Sequence, residues 1–362
     1  MTDRIDPASF VVVGEVEERY QSYNVEMAEV TGGTFWKPYT DAQRAGTEPF
    51  LRPEVQEGVT GFATYQLLMA PRAPVDLSGE RIRTLAKALA PAYVRVSGSW
   101  ASHTYFDIDG TANGVVPEGY RAVLTKEQWD GVINFAREVD AKLVTSMANT
   151  DGAHDESGAW NPENSMAFLR YTLEHGLEVA AAEFMNEPDI ANLLGAPAGY
   201  TPADYGRDVR IFIDALRATA PGTKFVGPGC AVGGDAPIFD GPPRMEHLSP
   251  EELMREVGTP PEIFTYHHYY GLSDRGGEGP HHPTADVVLT EEHLAKTERT
   301  LSTYRRIHDL YAPGTPYWNT ETADAAMGGN TWGPTWLDVP RYVDQLGRLA
   351  KLNVTAVMHN TL

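Results

Sequence analysis

Two glutamates stand out by residue type and setting. Glu187 lies in Glu183-Phe184-Met185-Asn186-Glu187-Pro188-Asp189, and Glu321 in Trp318-Asn319-Thr320-Glu321-Thr322. Each closes a short run of strand-type residues. Two facing carboxyl groups are what glycoside hydrolysis needs: one protonates the leaving oxygen, the other attacks the anomeric carbon or activates water. A glutamate so placed could also hold a metal or a salt bridge. Asn186 suits the first chemistry, because an amide can bond a sugar 2-hydroxyl in a contact that strengthens in the transition state. Pro188 keeps Glu187 out of the right-handed helical region, which can aim its carboxylate.

Tyr266-His267-His268-Tyr269-Tyr270 supplies further groups. Paired histidines suggest metal, but neighbours on a strand point to opposite faces. They do not chelate together without a bend, and no HExxH pattern occurs. We expect no metal, and instead one Tyr or His that bonds the nucleophilic carboxylate. With no GxGxxG after a strand and no GxxxxGK[ST], no nucleotide cofactor is expected either.

These residues need a frame that brings them together. Strand-type runs occur at Arg19–Ala28, Tyr93–Ser97, Lys142–Met147, Val179–Met185, Lys224–Gly227, Ile263–Tyr269, Pro316–Thr322 and Val354–His359. Helical patterns separate them at Gly79–Leu89, Lys126–Ala141, Asn164–His175, Ala203–Ala220, Pro250–Val257, Glu291–Tyr311 and Pro340–Leu352. Thr125 and Gln128 form a capping box at one helix start. Alternating β and α implies a parallel sheet. Eight repeats predict an α/β fold of the (β/α)8 TIM-barrel type, with an open doubly wound sheet as the alternative. Long loops are expected at 29–77, 98–124, 228–249 and 271–289. Barrel enzymes place their chemistry at the C-terminal strand ends. Glu187 and Glu321 end the fourth and seventh candidate strands, across one lumen.

The chain has 362 residues, 50 acidic against 29 basic, for a net charge of −21. Its one adjacent basic pair is Arg305-Arg306. Nucleic acid and anionic membranes are therefore poor partners. No run approaches the roughly 20 apolar residues of a membrane helix. Met1–Asp6 shows no apolar signal segment, and the compartment stays open. A single cysteine, Cys230, excludes internal disulfides.

In order along the chain stand Ser22-Tyr23-Asn24-Val25-Glu26-Met27, Tyr93-Val94-Arg95-Val96-Ser97-Gly98-Ser99, Asn186-Glu187-Pro188, His267-His268-Tyr269-Tyr270 and Glu321-Thr322-Ala323…Gly328-Gly329. Together they resemble glycoside hydrolase family 79, the heparanases and β-glucuronidases. The resemblance implies a retaining hydrolase of β-linked glucuronic acid, with a glucuronide or a glucuronic-acid oligosaccharide as its partner. It implies Glu187 as acid/base and Glu321 as nucleophile. It places Glu26, Ser99, Asn186 and Tyr269 around the sugar, with His267 in the same strand-six motif. Backbone N–H groups near Gly328 and Gly329 are implied to hold the uronic carboxylate, as glycine allows close approach and successive N–H groups form an anion nest.

The sequence also departs from this family. A Tyr often precedes the two glycines; here Met327 does, with one extra residue after Glu321. A thioether donates no hydrogen bond, so carboxylate recognition is expected to move to Asn330, Tyr269 or backbone. The basic clusters with which heparanases grip sulfated chains are missing from the sequence. The family appends a β-sandwich from both chain ends, so residues 1–17, with Phe10–Val16 as a strand, are expected to belong to it. Residues 18–362 form the barrel, and the rest of the sandwich is expected beyond Leu362. A retaining β-glycosidase of neutral sugars (xyloside, glucoside or arabinofuranoside) and a non-catalytic sugar-binding barrel are the alternatives.

Overall fold

The strand-type runs pair as a closed ring. A computed structural model describes residues 6–50, 67–231, 247–276 and 282–361. The barrel strands are β1 (Gln21–Glu26), β2 (Ala92–Ser97), β3 (Ala141–Ser146), β4 (Val179–Glu183), β5 (Lys224–Cys230), β6 (Ile263–Tyr269), β7 (Tyr317–Ala323) and β8 (Val354–His359). All neighbours are parallel, and β1 pairs with both β2 and β8 to close the barrel. This is the expected (β/α)8 fold.

Helices cover the outside. Lys126–Glu138 starts at Thr125, whose side chain accepts from the Gln128 N–H in a capping box. The helix expected over 291–311 is two pieces, Glu291–Leu294 and Lys296–Tyr311, with Thr290 capping the first. Two of the expected loops carry short sheets of their own. Gly33–Trp36 pairs antiparallel with Met69–Arg72, and Thr104–Asp107 pairs parallel with Ala122–Thr125. None of these four runs alternates cleanly between apolar and polar residues, so periodicity does not single them out.

Outside the barrel, Phe168 stacks on Phe106 at 4.2 Å between centroids and meets Trp129 at 4.4 Å. The Trp129 Nε1–H donates to Thr172 Oγ1 at 2.9 Å, which lets a large amphipathic ring lie wholly inside. Inside the barrel, Val144, Ala181, Val226, Ile263, Trp318, Ala356 and Met358 form a separate apolar cluster. Ser146 and Glu183 lie two residues further along their strands than Val144 and Ala181, on the same face. The lumen thus changes from apolar to polar toward the C-terminal strand ends.

The ladders shift register at several places, and one of these shifts sits at the site. Tyr266 pairs with Asn319 but His267 pairs with Glu321, so Thr320 is an extra residue in β7. Such a bulge re-aims the side chains beyond it. Trp318 and Glu321, an odd number apart, therefore both face the lumen.

Phe10–Val16, expected as a strand, has no regular secondary structure and no ladder partner among the described residues. Phe10, Val11, Val12, Val13 and Val16 are exposed. No helix among the described residues is long and apolar enough to cross a membrane.

Phe168→Ala is expected to lower stability by about 3–5 kcal/mol through the cavity it leaves, read as a lower urea midpoint at unchanged slope. Phe168→Leu should lose clearly less, and equal losses would mean that the cavity is not the source of the loss.

Candidate active site

Arg95 stands in an otherwise apolar strand, in the run Tyr93-Val94-Arg95-Val96, and is almost wholly buried. Its Nε donates to Glu183 Oε1 at 2.9 Å. Nη2 donates to Asn186 Oδ1 at 2.6 Å, and Nη1 to Glu321 Oε2 at 2.9 Å. Ser97 Oγ also donates to Glu183 Oε1, at 3.0 Å. One guanidinium thus joins β2, the end of β4 and β7.

Glu187 and Glu321 face each other across this cation. An oxygen of each, with a His267 ring nitrogen, falls within a set whose members all lie within 4.8 Å. Glu187 takes a left-handed conformation, φ 47° and ψ 62°. Pro188 does keep it out of the right-handed region, but the outcome is not the usual extended one. A 3-10 turn over Pro188–Ile190 begins at once, with the Ile190 N–H donating to the Glu187 carbonyl. Such a conformation costs about 1–3 kcal/mol.

The surroundings set the two carboxyls apart. Burial raises the Glu187 pKa well above its usual value, and the charges of Glu321 and Asp189 add to this. Burial acts on Glu321 in the same direction, but His267, Arg95 and the Tyr269 hydroxyl outweigh it and hold Glu321 below its usual value. His267 Nδ1 lies 3.0 Å from Glu187 Oε1 and 3.7 Å from Glu321 Oε2. Burial lowers the His267 pKa, against the upward pull of the Glu321 charge. Tyr269 donates to Glu321 Oε1, and Asn360 Nδ2 donates to the Tyr269 oxygen at 2.9 Å. His268 points outward as alternation requires, to Thr300 Oγ1 at 3.0 Å.

Above the pair opens a cavity of about 580 Å3. Glu26, Ser99, Tyr269, Gly328, Gly329 and Asn330 line it, with Glu187 and Glu321. Asn186 and His267 lie buried beneath. The Asn186 Oδ1 is taken by Arg95, and its Nδ2 donates to Glu187 Oε2 at 3.2 Å. Glu26 accepts from Asn360 Nδ2 at 3.1 Å. Burial, then the charges of Glu321 and Glu29, raise its pKa well above the usual value. Gly98 makes this placement possible: a Cβ there would fall 1.6 Å from Glu26 Oε2. Phe35, Trp36 and Trp100 pack edge to face or tilted on the same wall and offer rings to a flat ligand group.

The Gly328-Gly329 loop is clamped from both sides. Arg275 Nη1 donates to the carbonyls of Met327, Gly328 and Gly329. On the other side the Asn330 N–H donates to Asp324 Oδ2 at 2.8 Å, and the Thr331 N–H to Asp274 Oδ2 at 2.8 Å. Asn330 thus serves the loop through its backbone. Lys37, Arg44, Arg72 and Arg275 come together on the cavity wall although the sequence has no basic cluster.

Glu187, His267 and Glu321 together could ligate a cation. The Arg95 guanidinium, 2.9 Å from Glu321, already brings positive charge there and opposes a second one. Sequence reading assigned no role to Arg95, Glu183, Asp324, Arg275 or Asn360. For Arg95 a signal was present: a charge inside a parallel strand, buried on both faces, needs partners.

Arg95→Met is expected to lower stability by about 3–5 kcal/mol at pH 7, because it strands buried carboxylates. Those groups then have folded-state pKa values above their unfolded ones, so the deficit should narrow as the pH falls. Urea unfolding at pH 7 and pH 5 checks this; an equal deficit at both would exclude stranded charge as the cause.

A profile for glycosyl hydrolase family 79, N-terminal domain, matches residues 69–347. Heparanase-like protein 1 of Arabidopsis thaliana is 22% identical over 304 residues, covering 80% of this chain and 53% of that protein. Heparanase-like protein 2 of the same plant is 21% identical over 305 residues with the same coverage. The chain spans about half the length of the curated relatives it matches. Among solved structures, a 4-O-α-L-rhamnosyl-β-D-glucuronidase from Fusarium oxysporum 12S has a TM-score of 0.54 at 12% identity, covering 96% of this chain and 64% of that one. A GH51 arabinofuranosidase from Xanthomonas axonopodis pv. citri has a TM-score of 0.55 at 14% identity, covering 78% and 60%. Those two likenesses are of fold. The family match covers most of the barrel and both glutamate motifs, and on it the chain belongs to glycosyl hydrolase family 79.

Proposed function

We propose that this chain is the catalytic barrel of a retaining glycosidase that cleaves β-linked glucuronic acid by double displacement. The opposed Glu187–Glu321 pair carries the reading: oxygens within 4.8 Å, and environments that favour opposite protonation states. Retaining enzymes hold the two carboxyls about 5–5.5 Å apart, inverting ones about 6.5–9.5 Å. Glu321, ionised, attacks the anomeric carbon while Glu187 gives its proton to the leaving oxygen. Water then attacks the glycosyl ester, Glu187 takes up its proton, and Glu321 leaves as carboxylate. Glycosylation removes the Glu321 charge that helps to raise the Glu187 pKa, so Glu187 can serve as base in the second step.

Glu26, Ser99, Tyr269 and Asn330 are proposed to surround the sugar, with its carboxylate at the Gly328-Gly329 backbone, while Asn186 acts from beneath by orienting Glu187. The cavity wall carries four cationic side chains beside six carboxyl groups, and we read the cations as the counter-charge to the uronate. The name of one fold neighbour, a glucuronidase, is in line with this. The exposed Phe10–Val13 and Val16 suit packing against the accessory β-domain expected from the family. A second reading, hydrolysis of a neutral β-glycoside, is favoured by Met327 and by the Asp324 carboxylate at the glycine loop.

Glu321→Gln is expected to abolish turnover of every substrate. Glu187→Ala should keep a first step with good leaving groups, and azide should restore its turnover and yield a β-azide. Rescue of the residue-321 variant instead would exchange the roles.

For the wild type, kcat/KM should follow a bell in pH. It should fall on the acid side as Glu321 gains a proton and on the alkaline side as Glu187 loses one. Aryl β-D-glucuronide, glucoside and xyloside assayed side by side test the substrate, and turnover of only a neutral glycoside would refute the uronide assignment.

A further inference from the structure

The glycine loop after β7 already holds a carboxylate of the protein's own. Met327, Gly328 and Gly329 take three successive left-handed conformations, with φ of 65°, 80° and 70°. Their carbonyls converge on Arg275 Nη1 at 3.1, 3.1 and 3.3 Å. In a turn of one hand the N–H groups point away from the carbonyls, as at a helix end. On that side sits Asp324, bonded to the Asn330 N–H at 2.8 Å. A Cβ on Gly329 would fall 3.1 Å from Asp324 Oδ1, and one on Gly333 only 2.8 Å. The glycines thus make room for a carboxylate, and this carboxylate lines the cavity that holds Glu187 and Glu321.

No described Lys or Arg lies within ion-pair distance of Asp324. Helix Asp338–Lys351 presents Asp338 and Arg341 to it, but Arg341 is bonded to Asp338 through two nitrogens. Arg275 stands on the far side of the turn, and Asp274 takes the next N–H, that of Thr331. Across the cavity stand Glu26 and Glu29. Burial, with the Asp338 charge, raises the Asp324 pKa to about 6 in spite of the Asn330 N–H.

We propose that Asp324 determines specificity at this subsite: it shares the N–H face of the glycine turn with the substituent on C5 of the sugar, and a uronate binds there only with one proton held between the two carboxyls. The uronide part rests on the function proposed above. Two close carboxylates do not both stay ionised. A neutral hexoside needs no such proton: its hydroxymethyl group donates to a carboxyl oxygen of Asp324 in either form. Uronides are therefore favoured at acid pH and lose that advantage toward neutral pH, while neutral hexosides bind alike at both.

The test is the ratio of kcat/KM for 4-nitrophenyl β-D-glucuronide to that for the matching glucoside. The ratio cancels the titration of Glu187 and Glu321 that both substrates share. In the wild type it should fall about tenfold from pH 5 to pH 7, as one proton with a pKa near 6 is lost. In Asp324→Asn, whose amide oxygen still accepts from Asn330, the ratio should become flat. A flat wild-type ratio overturns the proposal. So does an unchanged slope in the variant, which would move the titration to Glu26 or Glu29. If the variant does not fold, inhibition of the wild type decides. A Ki for glucuronic acid that rises about tenfold over the same range, with glucose flat, supports the proposal, and parallel curves overturn it. If only the glucoside is turned over, the uronide reading fails, and Asp324 is judged by Asp324→Asn alone. A markedly raised glucoside KM then sustains its contact with C5, and an unchanged KM overturns it.

Discussion

The buried guanidinium of Arg95 is the constraint on which the site depends. Glu26, Glu183, Glu187 and Glu321 all lie in or beside one lumen, almost out of contact with water. At a spacing of about 4 Å and an effective dielectric of about 20, two carboxylates repel by about 4 kcal/mol. Arg95 offsets this repulsion, but unequally. It bonds Glu183 and Glu321 directly and reaches Glu187 only through Asn186 and His267. Tyr269 adds a hydroxyl on the Glu321 side. One carboxyl is stabilised as an anion and the other is left to keep its proton, which is the asymmetry that acid–base chemistry requires.

The barrel makes such an arrangement possible because every strand is held on both sides. Parallel strands in a closed ring leave no free edge, and the apolar cluster of Val144, Ala181, Trp318 and their neighbours closes the lumen below. Two local departures from regularity then do the aiming. The extra residue at Thr320 turns Glu321 inward, and the left-handed conformation of Glu187 swings its carboxyl over the strand ends. Both departures sit at the reacting groups, where backbone strain is commonly stored.

The loops add selectivity to this frame. Arg275 on one side and Asp324 on the other fix a glycine turn that lines the cavity. The short sheet of Gly33–Trp36 brings Trp36 against Gly328, where a Cβ would lie 2.9 Å from the indole. Aromatic wall and glycine turn are thus one packed unit.

The sequence by itself determined the eight-fold alternation, the barrel, and the two glutamates at opposed strand ends. Periodicity and strand-end position are local properties, and they survive folding unchanged. His267 and Tyr269 on one face and His268 on the other likewise followed from a period of two. Only the tertiary structure decided that Arg95 is the shared partner, that Asn360 ties Glu26 to Tyr269, and that four scattered cations meet on one wall. It alone showed the bulge at Thr320 and the Asp324 carboxylate at the glycine turn. These are relations between residues distant in the chain, set by register and by loop packing. Residue type and spacing along one strand carry no information about which neighbour a buried charge will find.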